Sequence, residues 1–216
     1  MDKSMLPSKY ISFVPWLLVA MVSLLAIYVW GQSFAWDFRS LNAYQFFPVL
    51  GLLGFSIMWS QHIVGFLKRT VWKNETFGPY FRYTGYIVLL VIVLHPGILI
   101  YQRFRDGFGL PPGSYESFVA PGMGWITLLG TASLLIFLAF ELHRWYGKKL
   151  WWKYVLVAGD LAMLAIFYHG LRLGHQLQSG WYHGVWLFYG IALLAVLVHK
   201  YTLLALHKQA GSQTTT

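Results

Sequence analysis

Six apolar runs, each about as long as a membrane span, occupy most of this 216-residue chain. A helix needs about 20 mainly apolar residues to cross about 30 Å of hydrocarbon. Reading between the charged residues places the spans at about 11–30, 43–67, 83–102, 123–140, 154–171 and 181–199. Backbone groups in lipid must bond within the chain, and these runs lack the alternating polarity of barrel strands. The sequence therefore predicts an all-α, six-helix transmembrane bundle.

The spans leave no room for a soluble domain. Residues 1–208 are therefore predicted to form one transmembrane domain, and the polar residues 209–216 a disordered tail. The first apolar run is longer than the core of a signal peptide, which has about 7–15 apolar residues. We interpret it as a retained helix.

Lysine and arginine are distributed unevenly between the two sides of the predicted bundle. Of the 16 basic residues, only Arg39, Arg103, Arg105 and Arg172 lie on one side. The others lie on the side of both termini, which predicts that both termini are cytoplasmic. This asymmetry accounts for the net charge of +9, so no basic cluster indicates nucleic acid. The longest connection, from Arg103 to about Gly122, is predicted to be an ordered outer loop that covers the bundle as a lid.

The chain contains no cysteine, which excludes disulfides, iron–sulfur clusters, thiolate zinc sites and covalently attached c-type haem. Histidine remains available as a metal ligand. Ionisable side chains inside a span are functional candidates by default, because placing them in lipid is costly. The predicted spans contain His62, His95, Asp160, His169 and His199.

His95 and His169 are the most informative of these residues, because they match in depth. Both lie on helices that run from the inner to the outer side, about 20 Å and 24 Å beyond the preceding inner basic residue at 1.5 Å per residue. Two imidazoles at one depth on different helices can hold a haem iron from opposite faces. The pair therefore favours haem.

The other ionisable groups leave alternatives open. His62 and His199 both lie in the inner third of the membrane and could form a second, unconventional ligand pair, or each could hydrogen-bond a neighbouring helix. Asp160 lies nine residues before His169, so it faces away from that histidine. As an unpaired carboxylate it would be protonated, and it could relay protons to a quinone pocket or hydrogen-bond across helices.

Two motifs lead into the depth-matched histidines. The third helix has Arg82-Tyr-Thr-Gly85 followed, after nine residues, by His95. The approach to the fifth helix reads Gly147-Lys-Lys-Leu-Trp151 and leads to His169. Between about residues 50 and 200 the chain resembles the ferric reductase-like transmembrane superfamily. That group includes the membrane domains of NADPH oxidases and ferric reductases, and the haem-binding membrane subunit of the bacterial methionine sulfoxide reductase system.

The resemblance implies haem b ligands on the third and fifth helices, where the family carries two histidine pairs that hold two stacked haems. His95 and His169 match the outer pair. The inner positions hold Phe81 and Leu156, which cannot ligate iron. One haem b is therefore expected, with a second possible only through the unconventional pair described above.

The expected chemistry is electron transfer, because two axial histidines leave the iron no open position for O₂ or substrate. The haem propionates would reach the outer side, where Arg172 is the first candidate as charge partner, followed by Arg103, with Arg105 and His175 also available.

No dinucleotide-binding fingerprint or flavin domain is present in the sequence. Electrons would come from quinol or a separate flavoprotein reductase and pass to an outer-face partner, ferric iron or quinone. The similarity to the stand-alone bacterial subunit implies an oxidoreductase component of a bacterial inner membrane.

Two further readings remain open. A non-redox transporter or assembly factor could use the intramembrane histidines and Asp160 as a proton or metal path, with His169, His175 and His183 as a metal-uptake site. A degenerate relative could keep the bundle and bind no cofactor. Loss of both inner histidines of the family pattern keeps the last reading open.

Overall fold

Six long helices form the protein. The computed structural model describes residues 8–141 and 146–213. In chain order the helices are α1 (Val14–Gln32), α2 (Ala43–Thr70), α3 (Gly78–Arg105), α4 (Gly124–Glu141), α5 (Trp152–Leu173) and α6 (Trp181–Gln213). Shorter helical segments lie at Ser8–Ile11, Phe38–Ser40, Gly113–Glu116 and His175–Leu177, and the described ranges contain no β-strand.

The prediction of an all-α, multi-pass bundle is confirmed. All six helices are long and apolar enough to cross a membrane. Large apolar side chains also point outward from the bundle, as contact with lipid requires. Examples from five of the helices are Leu17, Leu90, Leu135, Leu161 and Ile191, each more than half exposed. The chain is therefore an integral membrane protein with several spans.

The helices differ from the predicted spans mainly at their ends. The spans were bounded by charged residues, whereas α3 begins before Arg82 and ends after Arg103. Backbone hydrogen bonding does not stop at a charge, so a helix continues into the interface on either side. The helix α6 runs to Gln213, through most of the segment predicted to be a disordered tail. That segment has no proline to end the helix. Residues 142–145, including Arg144 of the approach to α5, lie outside the described residues.

A capping box fixes the start of α2. Asn42 Oδ1 accepts from the Gln45 backbone N–H, and Gln45 Oε1 accepts from the Asn42 N–H, both at 3.1 Å. Two of the unpaired donors at the helix start are satisfied in this way. Because the start is fixed, the depths of Phe47 and Gly51 along α2 are fixed as well.

The helices pack as two close pairs, α2 with α3 and α4 with α5, with α1 and α6 against α2. The apolar core lies mainly among α1, α2 and α6. Its fully buried members include Val22, Ala26, Phe55, Trp186 and Leu193. Residues 106–123, here called the lid, connect the two pairs across one end of the bundle, the lid end. The opposite end carries Thr70, Gly78 and Trp152, and is called the basic end after the Lys and Arg residues around it.

Candidate functional site

A cavity of about 480 Å³ lies between the two helix pairs near the lid end. Its volume is within the range of cofactor pockets in proteins, about 300–1,000 Å³. Most of its wall is apolar, with side chains that include Phe47, Leu52, Phe55, Leu99, Ile166 and Trp186. His95 and His169 both line it. The structure thus brings together the two histidines that the sequence analysis matched in depth.

His95 reaches across from α3 to the backbone of α2. Its Nδ1 lies 2.8 Å from the carbonyl oxygen of Phe47. The imidazole rests on Gly51, where a Cβ atom would lie only 2.7 Å from His95 Cε1. The missing side chain of Gly51 therefore creates the space in which the ring reaches the helix backbone.

His169 makes the same contact in the other helix pair. Its Nδ1 lies 2.7 Å from the carbonyl oxygen of Ile126 on α4. The ring rests on Gly130, where a Cβ atom would lie 2.7 Å from His169 Cε1. In both pairs the accepting carbonyl belongs to the residue four positions before the glycine, so one local geometry occurs twice.

These bonds determine which ring nitrogen carries the proton. A carbonyl oxygen can only accept, so Nδ1 donates in both His95 and His169. In a neutral imidazole Nε2 then keeps its lone pair. Neither the Nε2 of His95 nor the Nε2 of His169 has a hydrogen-bond partner among the described residues. A histidine that ligates a metal has the same arrangement, with its other nitrogen held by a carbonyl or carboxylate.

The lid forms the outer wall of the cavity. Tyr115 and Phe118 of the lid both line it, and Tyr115 is buried. The Phe118 ring lies 5.9 Å from that of Phe47 and is stacked on Tyr44 at 6.1 Å. The long connection between α3 and α4 is therefore an ordered part of the site.

Polar contacts around Asp106 tie the lid to the helix ends. Tyr44 OH donates to Asp106 Oδ2 at 2.6 Å, and Gln102 Nε2 donates to the same carboxylate at 3.1 Å. These bonds, together with nearby Arg105, hold the pKa of Asp106 below its usual value. The contacts are therefore present at neutral pH and are lost only as the pH falls through that lowered value.

Arg103 is the buried cation at the lid end, with only 6% of the residue exposed. Its Nη2 donates to Ser117 Oγ of the lid. Its guanidinium carbon lies 3.4 Å from the ring centre of Phe108 and 5.8 Å from that of Phe118. Its Nε is buried and has no hydrogen-bond partner among the described residues. Arg103 does not itself line the cavity, but its positive charge lies beside Phe118, which does.

The other predicted charge partners lie nearer the surface. Arg172 is exposed and is not part of the cavity wall. Arg105 is exposed beside Asp106, at 3.7 Å. His175 is exposed and lines the cavity. Neither Arg103 nor Arg172 lines the cavity, but Arg103 is buried beside Phe118, a residue of the cavity wall.

We expect Arg103→Met to loosen the lid by about 2 kcal/mol, because the variant loses a charged hydrogen bond and the contact of a cation with an aromatic ring. Faster hydrogen exchange over residues 106–123 would measure the loss. Arg172→Met removes an exposed charge of the same kind and serves as the control, with exchange at the wild-type rate. Equal rates in the two variants would contradict a role of Arg103 in holding the lid.

His62 and His199 are not brought together as a ligand pair by any contact in the described chain. His62 Nδ1 lies 2.9 Å from the Met58 carbonyl oxygen, and its Nε2 lies 3.6 Å from Asp160 Oδ1. The His199 ring packs edge-on against Phe66, with 5.1 Å between ring centres. Neither histidine lines the cavity. Phe81 and Leu156, which replace the family's inner histidines, do not line it either.

Asp160 is not an unpaired carboxylate, so the condition under which it would be protonated does not hold. Lys200 Nζ lies 2.5 Å from Asp160 Oδ2, and Tyr201 OH donates to the same oxygen at 2.6 Å. In the sequence analysis Lys200 counts only as one of the basic residues on the side of both termini. Its side chain in fact reaches the carboxylate between helices α5 and α6. Asp160 does face away from His169, as the spacing along α5 predicts.

His169, His175 and His183 do not assemble into a metal-uptake site. Among the described residues, no three His, Asp or Glu side chains form a group that could hold a metal ion. His169 Nδ1 is bound to α4, as described, and His183 Nδ1 lies 2.6 Å from the Leu177 carbonyl oxygen.

The glycines under the two imidazoles were missed by the sequence analysis. Gly51 and Gly130 lie in apolar helices where a glycine has many possible roles. The signal that could have found them is a helical glycine at the same depth as each histidine, on the helix that precedes it in the chain. Lys200 was missed because a lysine at the end of a span is usually a topology signal.

These features define a class, an integral membrane protein with a two-histidine cavity between helix pairs. No family model, curated protein or solved structure matches the chain.

Proposed function

We propose that this protein is a membrane electron-transfer protein that binds one haem b in the cavity, with His95 and His169 as the two axial ligands. One observation carries the proposal. Two imidazoles from different helix pairs line one cavity, and each is held through Nδ1 by a backbone carbonyl. This bond keeps Nε2 as the nitrogen with the lone pair, which is the form that ligates iron.

The residues around the two histidines fit such a group. The cavity wall is mainly apolar, as the face of a porphyrin requires, and its volume suits a cofactor. Buried Arg103 lies beside Phe118 of the cavity wall with an unpartnered Nε, and its positive charge would favour the carboxylates of such a group. A haem with two histidine ligands supplies one-electron transfer without binding O₂. In this chain the imidazoles would hold and orient the group, and the aromatic side chains of the lid would cover part of it.

The proposed electron path runs across a bacterial inner membrane with both termini in the cytoplasm. The excess of Lys and Arg at the basic end supports this orientation. The proposed donor is quinol or a separate flavoprotein reductase. The acceptor binds at the lid end, so the chain acts as the ferric reductase-like component of a system with a redox partner.

Haem content tests the proposal directly. The full chain would be purified in detergent from cells supplied with haem, and haem per chain would be measured as pyridine haemochrome beside oxidised and reduced spectra. We expect one b-type haem per chain and a low-spin spectrum. No haem in a folded, helical protein would overturn the proposal. Two haems per chain would overturn the single-site version and require a second ligand pair.

A further inference from the structure

A buried ionic cluster lies outside the cavity, between α2, α5 and α6. Asp160 of α5 is only 7% exposed and accepts from Lys200 and Tyr201 of α6 through Oδ2. Its other oxygen, Oδ1, faces His62 Nε2 of α2 at 3.6 Å. These three residues are the titratable groups that face the carboxylate from the helices packed against it.

If His62 is neutral and Asp160 is ionised, no proton lies between His62 Nε2 and Asp160 Oδ1. His62 Nδ1 lies 2.9 Å from the Met58 carbonyl oxygen, so Nδ1 is the donor of that bond. In a neutral ring Nε2 would then present a lone pair to a carboxylate oxygen, which also presents lone pairs. Two acceptors that face each other repel. A proton on Nε2 changes the contact into an attractive one between an imidazolium and a carboxylate.

The surroundings favour the ring as the carrier of this proton. Asp160 Oδ2 already accepts from two donors, a lysine and a tyrosine, and hydrogen bonds to the charged form stabilise a carboxylate. Lys200 and Asp160 alone have no net charge as a pair. With the proton on His62 the cluster carries one positive charge.

The position of the cluster connects the basic end to the cavity. His62 and Lys200 each lie 19 residues from the lid-end start of their helix, or about 28 Å at 1.5 Å per residue. They therefore lie near the far boundary of an apolar layer about 30 Å thick. Met58, whose carbonyl accepts from His62, lines the cavity. One turn of α2 separates the cluster from the cavity floor.

We propose that His62 and Asp160 form an intramembrane proton-binding site, which takes its proton from water at the basic end and balances negative charge that enters the cavity. The second half of this statement rests on the proposed function. The proton is already bound to His62 Nε2 before an electron arrives, and its positive charge offsets the charge of the electron that a quinol or reductase delivers to the cavity. The proton stays on that nitrogen, between the ring and Asp160 Oδ1, and no bond other than N–H is formed.

The first test does not depend on any cofactor. Protein labelled with ¹⁵N in its histidines would be studied by NMR at pH 8, where a solvent-exposed imidazole is neutral. His62→Gln assigns the His62 signals. We expect both His62 nitrogens to carry protons in the wild type. In Asp160→Asn we expect Nε2 to lose its proton, because the amide can donate to it.

An internal comparison and a second variant keep this test decisive. His183 also donates through Nδ1 to a backbone carbonyl but is in no ion pair of the described chain, so we expect it to carry a single proton. Lys200→Met leaves the His62–Asp160 contact in place and should leave both protons on His62. If Asp160→Asn does not fold, Lys200→Met and the wild type still decide. A singly protonated His62 in the wild type overturns the proposal.

The second test examines the link to the cavity. The midpoint potential of the haem-loaded protein would be measured at one pH in the wild type and in His62→Gln. We expect a lower potential in the variant, because the positive charge that stabilises the reduced state is lost. Equal potentials would overturn the link while leaving the proton site. Doubly protonated His62 in a chain that binds no haem would support the proton site and refute the proposed function.

Discussion

Replacing either His95 or His169 with alanine is expected to abolish stable haem binding, and imidazole added to the buffer is expected to restore it. Each side chain supplies one of the two proposed axial ligands, and the pair spans the cavity from opposite helix pairs. Loss of a residue that only orients a metal ligand reduces affinity by about 10- to 100-fold. Loss of the ligand itself should exceed that range. Haem per chain and the low-spin b-type spectrum measure the effect.

Rescue by imidazole separates ligand loss from misfolding. Alanine leaves a space the size of the ring beside Gly51 or Gly130, and a free imidazole can enter it and ligate the iron. His183→Ala is the matched control, because His183 makes the same kind of Nδ1 bond but does not line the cavity. This control should keep full haem content. A His95→Ala or His169→Ala protein with an unchanged spectrum and full haem content would refute the proposed ligand pair.

The sequence was sufficient for the fold and for the central pair of side chains. Uncharged runs of about 20 residues indicate spans because lipid offers no partner for charge or for open backbone groups. Depth along a straight helix follows from residue count, so the match between His95 and His169 could be predicted before any contact was known. The same count predicted that Asp160 turns away from His169.

Contacts between helices could not be predicted in this way. Which glycine lies under which ring depends on how α2 is rotated and shifted against α3, and residue count fixes neither. The ion pair between Lys200 and Asp160 depends on the close approach of α5 and α6. The preference for Arg103 over Arg172 has a similar origin. The two arginines lie on the same predicted side, and only the path of the lid buries one of them.

A glycine lies under each of the two imidazoles, and replacing either glycine should have a large effect on haem binding. We expect Gly51→Ala and Gly130→Ala each to weaken haem binding by about 10- to 100-fold, the range found when the partner of a ligating histidine is lost. A Cβ at either position would lie 2.7 Å from an imidazole carbon, closer than real Cβ contacts come. The ring must therefore move away from the helix, and its Nδ1 then leaves the carbonyl of Phe47 or Ile126. Titration of the purified apoprotein with haemin measures the affinity.

Two other glycines provide matched controls, since a Cβ at Gly85 of α3 or Gly159 of α5 would meet nothing within 4 Å. Alanine in place of glycine inside a helix is itself stabilising by about 0.5–1 kcal/mol. All four variants gain this contribution, so a lower haem affinity in Gly51→Ala or Gly130→Ala cannot come from helix propensity. The controls should bind haem as the wild type does and melt at a slightly higher temperature. If Gly51→Ala matched Gly85→Ala in affinity, the close approach of the His95 ring to α2 would have no part in holding the haem.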